Sequence, residues 1–400
     1  MKYIIILGDG MADEPQESLE GKTPLEAAST PAMDFLALRS EIGLLKTIPD
    51  GMTPGSDTAN LAVMGYDPEK YYTGRSPLEA LSIGVPLREE DVAFRCNFVT
   101  LSDGELYEEK RILDHSSGEI PTEDAAVLLE AVKKELETEE FQFYLGTSYR
   151  HCLIWHGGQV LPLAAPHDHL WEVIGPYLPA DSRFYDLQKR SYEILSSHPI
   201  NQKRKEQGLN QANSCWFWGA GTKPGLSSFE SLYGKKGVMI SAVDLLKGIA
   251  VGAGMRVKEV EGANGGLHTN YEGKARAAVE AVLNEGADFA YIHLEAPDEM
   301  SHQGSLERKL KAIENLDARI VKPVYEAMEV SGEPYRLLIL PDHPTPLRIR
   351  THSSDPVPYL LYDSRKNLDS KRLYGERAAR ESGIFREKGY QMMRYFLEAE

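Results

Sequence analysis

Asp298 and His302, in APDEMSHQG, stand four residues apart directly after the apolar run ADFAYIHL. On a helix beginning there, both side chains project from one face and can chelate a single ion. Asp342 and His343 follow a second apolar run, LLILP, and adjacent residues at a strand end can address different ions. His352 follows in THSSDPVP. At the other end of the chain, Asp9 closes the run YIIIL inside Gly-Asp-Gly, where glycines let the backbone turn sharply and approach a ligand. Taken singly, each residue is an ordinary helix cap, turn former or surface group. Together they divide into an Asp/His/His set and an Asp/Asp/His set, which turn chemistry does not require. Mixed carboxylate and imidazole sets suit Mn²⁺ or Zn²⁺ better than Ca²⁺. Two ions about 4 Å apart clamp both oxygens of an in-line phosphoryl displacement.

A nucleophile for such a transfer stands in TPGSDTANLAVMGYDP, where Ser56 follows a Pro-Gly turn at the start of an expected helix. A helix N-terminus and a bound ion would both stabilise its alkoxide and the phosphate it receives. Without the surrounding Asp and His residues it would read as an N-cap serine. Asp57 beside it favours the first helical turn.

The elements that must position these residues are buried strands ending in acidic or histidine turns: KYIIILGDG, GVMISAVDLLKGIAVGAG, ADFAYIHLEAPDE and YRLLILPDHPTP. They alternate with helical stretches such as KARAAVEAVLNEG and ERKLKAIENLDARIVKPVYEAM, which predicts an α/β fold with a mostly parallel sheet covered on both faces. Ligands in such sheets bind beyond the carboxyl ends of the strands. The intervening stretch has mixed short strands, Pro and Gly breaks and four histidines between His151 and His169. It reads as an inserted domain, with residues 1–88 and 226–400 forming the core and 89–225 the insertion. Trp216 and Trp218 are expected to pack a hinge between the two.

The 400 residues carry a formal net charge of −17, which excludes a general nucleic-acid binder. No stretch has the uncharged length of a membrane span, and the N-terminal apolar run is too short for an export signal. Cys96, Cys152 and Cys215 are odd in number and lack CxxC pairing, as expected of reduced cytoplasmic thiols.

GDGMADEP, TPGSDTANLAVMGYDP, YYTGRSPLEALSIGV, APDEMSH, PDHPTP and THSSDPVPY together resemble the archaeal-type, cofactor-independent phosphoglycerate mutases of the alkaline phosphatase superfamily. The resemblance spans nearly the whole chain. It implies an alkaline-phosphatase-like α/β core with an inserted α+β cap domain that binds substrate. It implies one ion on Asp298, His302 and His352 and a second on Asp9, Ser56, Asp342 and His343, with Mn²⁺ as the first choice and Zn²⁺ or Mg²⁺ as alternatives. It further implies that Ser56 takes the phosphoryl group of 3-phosphoglycerate and returns it to the other hydroxyl after the glycerate reorients. A cap able to close would keep water from the phosphoserine.

A small phosphorylated metabolite on so acidic a chain needs local cations. Arg75, Arg95, Arg150, His151 and Lys223 are the candidates, arginine being suited to bidentate capture of phosphate or carboxylate. Two positions depart from the family pattern. An arginine-rich cap stretch is replaced by Asp114-His115-Ser116-Ser117-Gly118-Glu119, and a lysine three residues before the ligand aspartate is replaced by Glu295. Carboxylates facing the pocket would favour a substrate ammonium, so a homoserine-kinase-type phosphotransferase of the same family is the alternative reading. The oligomeric state is not readable from residue order.

Overall fold

The computed structural model describes residues 1–104, 106–366 and 368–398. The strands in chain order are β1 (Lys2–Gly8), β2 (Glu41–Leu45), β3 (Val92–Leu101), β4 (Ile112–Asp114), β5 (Phe141–Tyr144), β6 (Arg150–Trp155) and β7 (Ser214–Thr222). They continue with β8 (Gly237–Ile240), β9 (Arg256–Val257), β10 (Phe289–Leu294), β11 (Tyr335–Leu340), β12 (Val357–Asp363) and β13 (Phe385–Arg386). The chain divides into two compact units, Met1–Tyr72 with Gly225–Glu400, and Thr73–Pro224.

The first unit is built on an eight-stranded sheet ordered β13-β2-β12-β11-β1-β10-β8-β9. Pairing is parallel from β11 through β1, β10 and β8 to β9, and antiparallel at β12 against both β11 and β2. This is the α/β class expected from the alternation of strands and helices. Every residue of β10 and β11 is buried, because helices cover both faces, and such strands must therefore be apolar along their whole length. The three central strands end level: Leu7 of β1 pairs with His293 of β10 and Leu340 of β11. Whatever follows each of them is delivered to one edge of the sheet.

Four helices matter to that edge: α1 (Ser56–Val63), α2 (Tyr271–Leu283), α3 (Ala296–His302) and α4 (Leu306–Leu316). The stretch expected to be one helix after residue 306 is interrupted by a π turn at Asp317–Val321. There Asp317 turns inward to accept hydrogen bonds from the Ala32 and Met33 amides, satisfying donors at the start of another helix.

The second unit is α+β. Its antiparallel sheet runs β4-β3-β6-β5, with β7 paired to β3 as well, and two helices, Thr122–Leu136 and Ser182–Ser196, cover one face. The boundary lies earlier than residue 88 because the helix Arg75–Ser82 packs on β3, β6 and β7. Trp216 and Trp218 pair with β3 inside this sheet, opposite Asn97 and Arg95, so they belong to the body of the unit and not to a hinge. Cys96, Cys152 and Cys215 are free and buried on its strands. Among the described residues, no helix is long and apolar enough to cross a membrane.

Candidate active site

Asp9 leaves β1, Asp342 and His343 leave β11, and Asp298 sits on α3 just beyond β10, so the aligned strand ends gather three carboxylates and an imidazole. All four are buried. Two groups have donor atoms lying within 4.8 Å of one another, Asp298/His343/His352 and Asp9/Asp342/His343. His343 belongs to both and links them. His302 joins the first: its Nε2 is 3.0 Å from Asp298 Oδ2 and 3.2 Å from His352 Nε2. The helical four-residue spacing of Asp298 and His302 thus places them on one face of α3, as expected. Gly10 makes this convergence possible. It has φ +59°, and a Cβ there would fall 2.5 Å from both Asp298 Oδ1 and Thr345 Oγ1, so no other residue fits the turn.

The electrostatics follow from packing like charges together out of water. Burial, then the charges of Asp342 and Asp298, push the Asp9 carboxyl well above the usual range. Burial also raises Asp298, but hydrogen bonds with His302 and His352 outweigh it and hold that carboxyl low. In return Asp298 lifts His302 to about 9. Burial pulls His343 down, keeping it neutral. Asp9 Oδ1 is buried with no hydrogen-bond partner. An orphaned carboxylate oxygen among two further carboxylates and facing imidazole nitrogens is what a divalent cation would satisfy, and the oxygen and nitrogen donors fit one.

Ser56 is the first residue of α1. The N-cap is Gly55 and the serine hydroxyl makes no capping bond, so it is free for other work. Its Oγ lies 3.1 Å from His343 Nε2 and 3.5 Å from Asp9 Oδ2, at the border of the Asp9/Asp342/His343 group. Asp57 bonds the Thr58 amide in the first turn and accepts from the Tyr72 hydroxyl.

The second unit brings some of the expected cations together. Glu79 lies between Arg75, 2.8 Å away, and Arg95, 3.0 Å away without hydrogen-bond geometry. Burial raises the Glu79 carboxyl, but Arg95 and Arg75 outweigh it and hold it low, with Arg150 adding to the same field. The Arg95 guanidinium also lies over the Trp218 ring at 4.3 Å. Arg95 pairs with Cys152 and Asn97 with Arg150, whereas His151 pairs with Cys96 on the opposite face. His151 is accordingly a core residue packed on Phe98, and burial drives it down to about 3. Lys223 pairs with the exposed Glu89. Glu119 is an exposed turn residue at φ 51°, and Asp114 closes that loop by accepting from Ser116 and Gly118. Glu295 is half-buried in the first unit and electrostatically coupled to both Asp9 and the buried Lys274.

Several residues that meet these groups fall outside the strand-end pattern that singled out the others. Asn60 donates to Asp342 Oδ2 and to the Ser56 carbonyl, Thr345 donates to Asp298, and His293 meets Asp9. His293 and Tyr291 were nonetheless visible as polar residues in alternate positions of an otherwise apolar strand, and buried polar groups require partners.

The fold is an α/β one, a mostly parallel central sheet with the polar cluster at the carboxyl ends of its central strands. A family model described as 2,3-bisphosphoglycerate-independent phosphoglycerate mutase matches residues 37–201. The chain is 50% identical over 390 residues to the 2,3-bisphosphoglycerate-independent phosphoglycerate mutase of Methanosarcina barkeri, covering 96% of each. It is 48% identical to a probable enzyme of the same name from Geobacter sulfurreducens, covering 100% of both. Among solved structures, the PH0037 protein of Pyrococcus horikoshii superposes with a TM-score of 0.82 at 30% identity, covering 99% of this chain and 96% of that one. The cofactor-independent phosphoglycerate mutase of Thermoplasma acidophilum gives 0.67 at 26% identity, covering 100% and 99%. The chain belongs to the family of 2,3-bisphosphoglycerate-independent phosphoglycerate mutases.

Proposed function

We propose that this enzyme interconverts 3-phosphoglycerate and 2-phosphoglycerate by passing the phosphoryl group through Ser56. The observation that carries the reading is the Ser56 hydroxyl, uncommitted to capping and 3.1 Å from His343 at the edge of the Asp9/Asp342/His343 group. Two divalent ions would be held, one by Asp298, His302 and His352 and the other by Asp9, Ser56, Asp342 and His343, with Mn²⁺ suited to the donors and Zn²⁺ or Mg²⁺ as alternatives. When bound they would supply Lewis-acid stabilisation of charge on the phosphoryl oxygens. Ser56 Oγ loses its proton and attacks phosphorus, an Oγ–P bond forms, and the bond to the glycerate oxygen breaks as that oxygen gains a proton. The second half runs in reverse on the other hydroxyl. The α1 N-terminus favours the negative charge that gathers there.

In the second unit, which acts as the substrate-binding cap in this reading, Arg75, Arg95 and Arg150 supply positive charge for carboxylate or phosphate, with Glu79 and Trp218 fixing the Arg95 plane. A cytoplasmic location accords with its free, buried cysteines. The homoserine-kinase reading is not favoured. The relatives are named as mutases, Glu119 is an exposed turn residue, and the charge of Glu295 is opposed by Lys274. A side-by-side assay of Mn²⁺-loaded protein tests this. Isomerisation of 3-phosphoglycerate without added bisphosphoglycerate is expected, and O-phosphohomoserine from homoserine and ATP with no isomerisation would overturn it.

A further inference from the structure

Strand β10 contributes more than the segment that leads into α3. Its residues Tyr291 and His293 are two positions apart and so point to the same face of the sheet. Both are fully buried. His293 Nε2 is 2.9 Å from Asp9 Oδ2, and its Nδ1 is 3.3 Å from Ser241 Oγ. An ionised Asp9 carboxylate can only accept, so the Nε2 proton faces Asp9 and Nδ1 is left to accept from the Ser241 hydroxyl, whose oxygen accepts from the Val243 amide. A neutral imidazole that accepts at Nδ1 carries its proton on Nε2, so His293 donates to Asp9. The Lys274 ammonium donates to the His293 carbonyl at 3.0 Å.

Tyr291 works through an amide. Its hydroxyl donates to Asn60 Oδ1 at 2.6 Å, which forces the Asn60 nitrogen toward Asp342 Oδ2 and the Ser56 carbonyl, each 2.8 Å away. One oxygen of Asp9 and one of Asp342 are therefore pinned from beneath by donors that trace back to β10. The oxygen left without a partner is Asp9 Oδ1.

We propose that Tyr291 and His293 are positioning residues for one ion only, the one assigned to Asp9, Asp342 and His343, and that Tyr291 also fixes the backbone of Ser56 through Asn60. Neither hydrogen-bonds Asp298, His302 or His352 among the contacts described. The inference rests on the two-ion reading given above. Outer partners of this kind set ligand orientation and typically change metal affinity 10- to 100-fold, on the order seen generally for such groups.

The test is calorimetric titration of metal-stripped protein with Mn²⁺ alone, together with ion counting and a melting curve in chelator. Tyr291→Phe removes one hydroxyl and keeps the ring, so it preserves the packing. His293→Leu removes the donor to Asp9, and His293→Gln restores an amide donor. Tyr291→Phe and His293→Leu are expected to weaken one of two affinities about 10- to 100-fold and leave the other unchanged, with His293→Gln recovering most of the loss. Should His293→Leu fail to fold, the Tyr291→Phe result stands alone as the test. Wild-type protein that takes up two ions, with both affinities unchanged or equally weakened in Tyr291→Phe, would overturn this inference and leave the two-ion reading intact. Wild-type protein that takes up fewer than two would overturn both.

Discussion

Lys309 and Asp13 form an ion pair with both side chains at 0% exposure, the nitrogen 2.8 Å from Asp13 Oδ2. The same ammonium donates to the carbonyls of Ala12 and Thr345, and Asp13 accepts from the Leu347 amide. One buried cation thus ties the loop that follows β1 to the loop that follows β11. Replacing Lys309 by Met keeps the aliphatic length and leaves Asp13 charged, buried and short of its strongest donor. Breaking a buried pair from one side costs about 3–5 kcal/mol. At roughly 2–4 °C per kcal/mol for a unit of this size, melting should fall on the order of 10 °C. Lys309→Met combined with Asp13→Asn leaves no isolated charge. It should therefore be no less stable than the worse single variant, a coupling of about 2 kcal/mol or more. Thermal and urea denaturation of the four proteins in chelator measures the cycle. Stability of Lys309→Met within about 1 kcal/mol of wild type, or strict additivity in the double variant, would show that Asp13 does not depend on the Lys309 charge.

Burial pushes the Glu376 carboxyl up from 4.5 to about 7, so the native state keeps a proton that the unfolded chain releases across that window. Its contribution is complete below pH 4.5 and is lost as pH rises toward 7, about 3 kcal/mol over the interval. Relative to Glu376→Gln, the wild type should lose stability between pH 4.5 and 7 in urea melts, and parallel curves would show that the carboxyl is not protonated in the fold. His302→Ala should bind one Mn²⁺ where wild type binds two, as counted on purified protein, and full occupancy would show that His302 is not a ligand. Arg95→Met should lower kcat/KM for 3-phosphoglycerate about 10- to 100-fold through a lost charge-assisted bond, while Lys223→Ala, whose partner is the exposed Glu89, leaves it unchanged. Equal effects of the two in steady-state kinetics would contradict the placement of Arg95 on the binding face.

The residues that end β1, β10 and β11 were legible because an apolar strand followed at once by Asp or His is a local pattern, and the Asp298–His302 spacing is a helical one. The parallel sheet was legible for the same reason. Partners that meet only through pairing across the sheet were not. Asn60 meets Asp342 across 282 positions of sequence, and Lys309 meets Asp13 across 296. In sequence Lys309 and Lys274 look like the solvent-facing lysines of amphipathic helices, yet both are fully buried. His151 and Arg150 are neighbours whose fates differ because β6 alternates faces, and strand phase could not be fixed in a segment with polar residues on both. Trp218 looked like hinge packing until β7 was paired to β3, which sets its ring beneath Arg95.

In the mechanism proposed here the phosphoryl group passes through Ser56. Wild type and Ser56→Ala, both Mn²⁺-loaded and with matched melting curves, should be given 3-phosphoglycerate, with 2-phosphoglycerate formation followed and the protein digested for mass spectrometry. A phosphate ester should form on Ser56 in wild type, and turnover in the variant should fall at least about 10³-fold, as expected when a nucleophile is removed. Turnover by Ser56→Ala near the wild-type rate, or a phosphate ester on another residue, would contradict that mechanism.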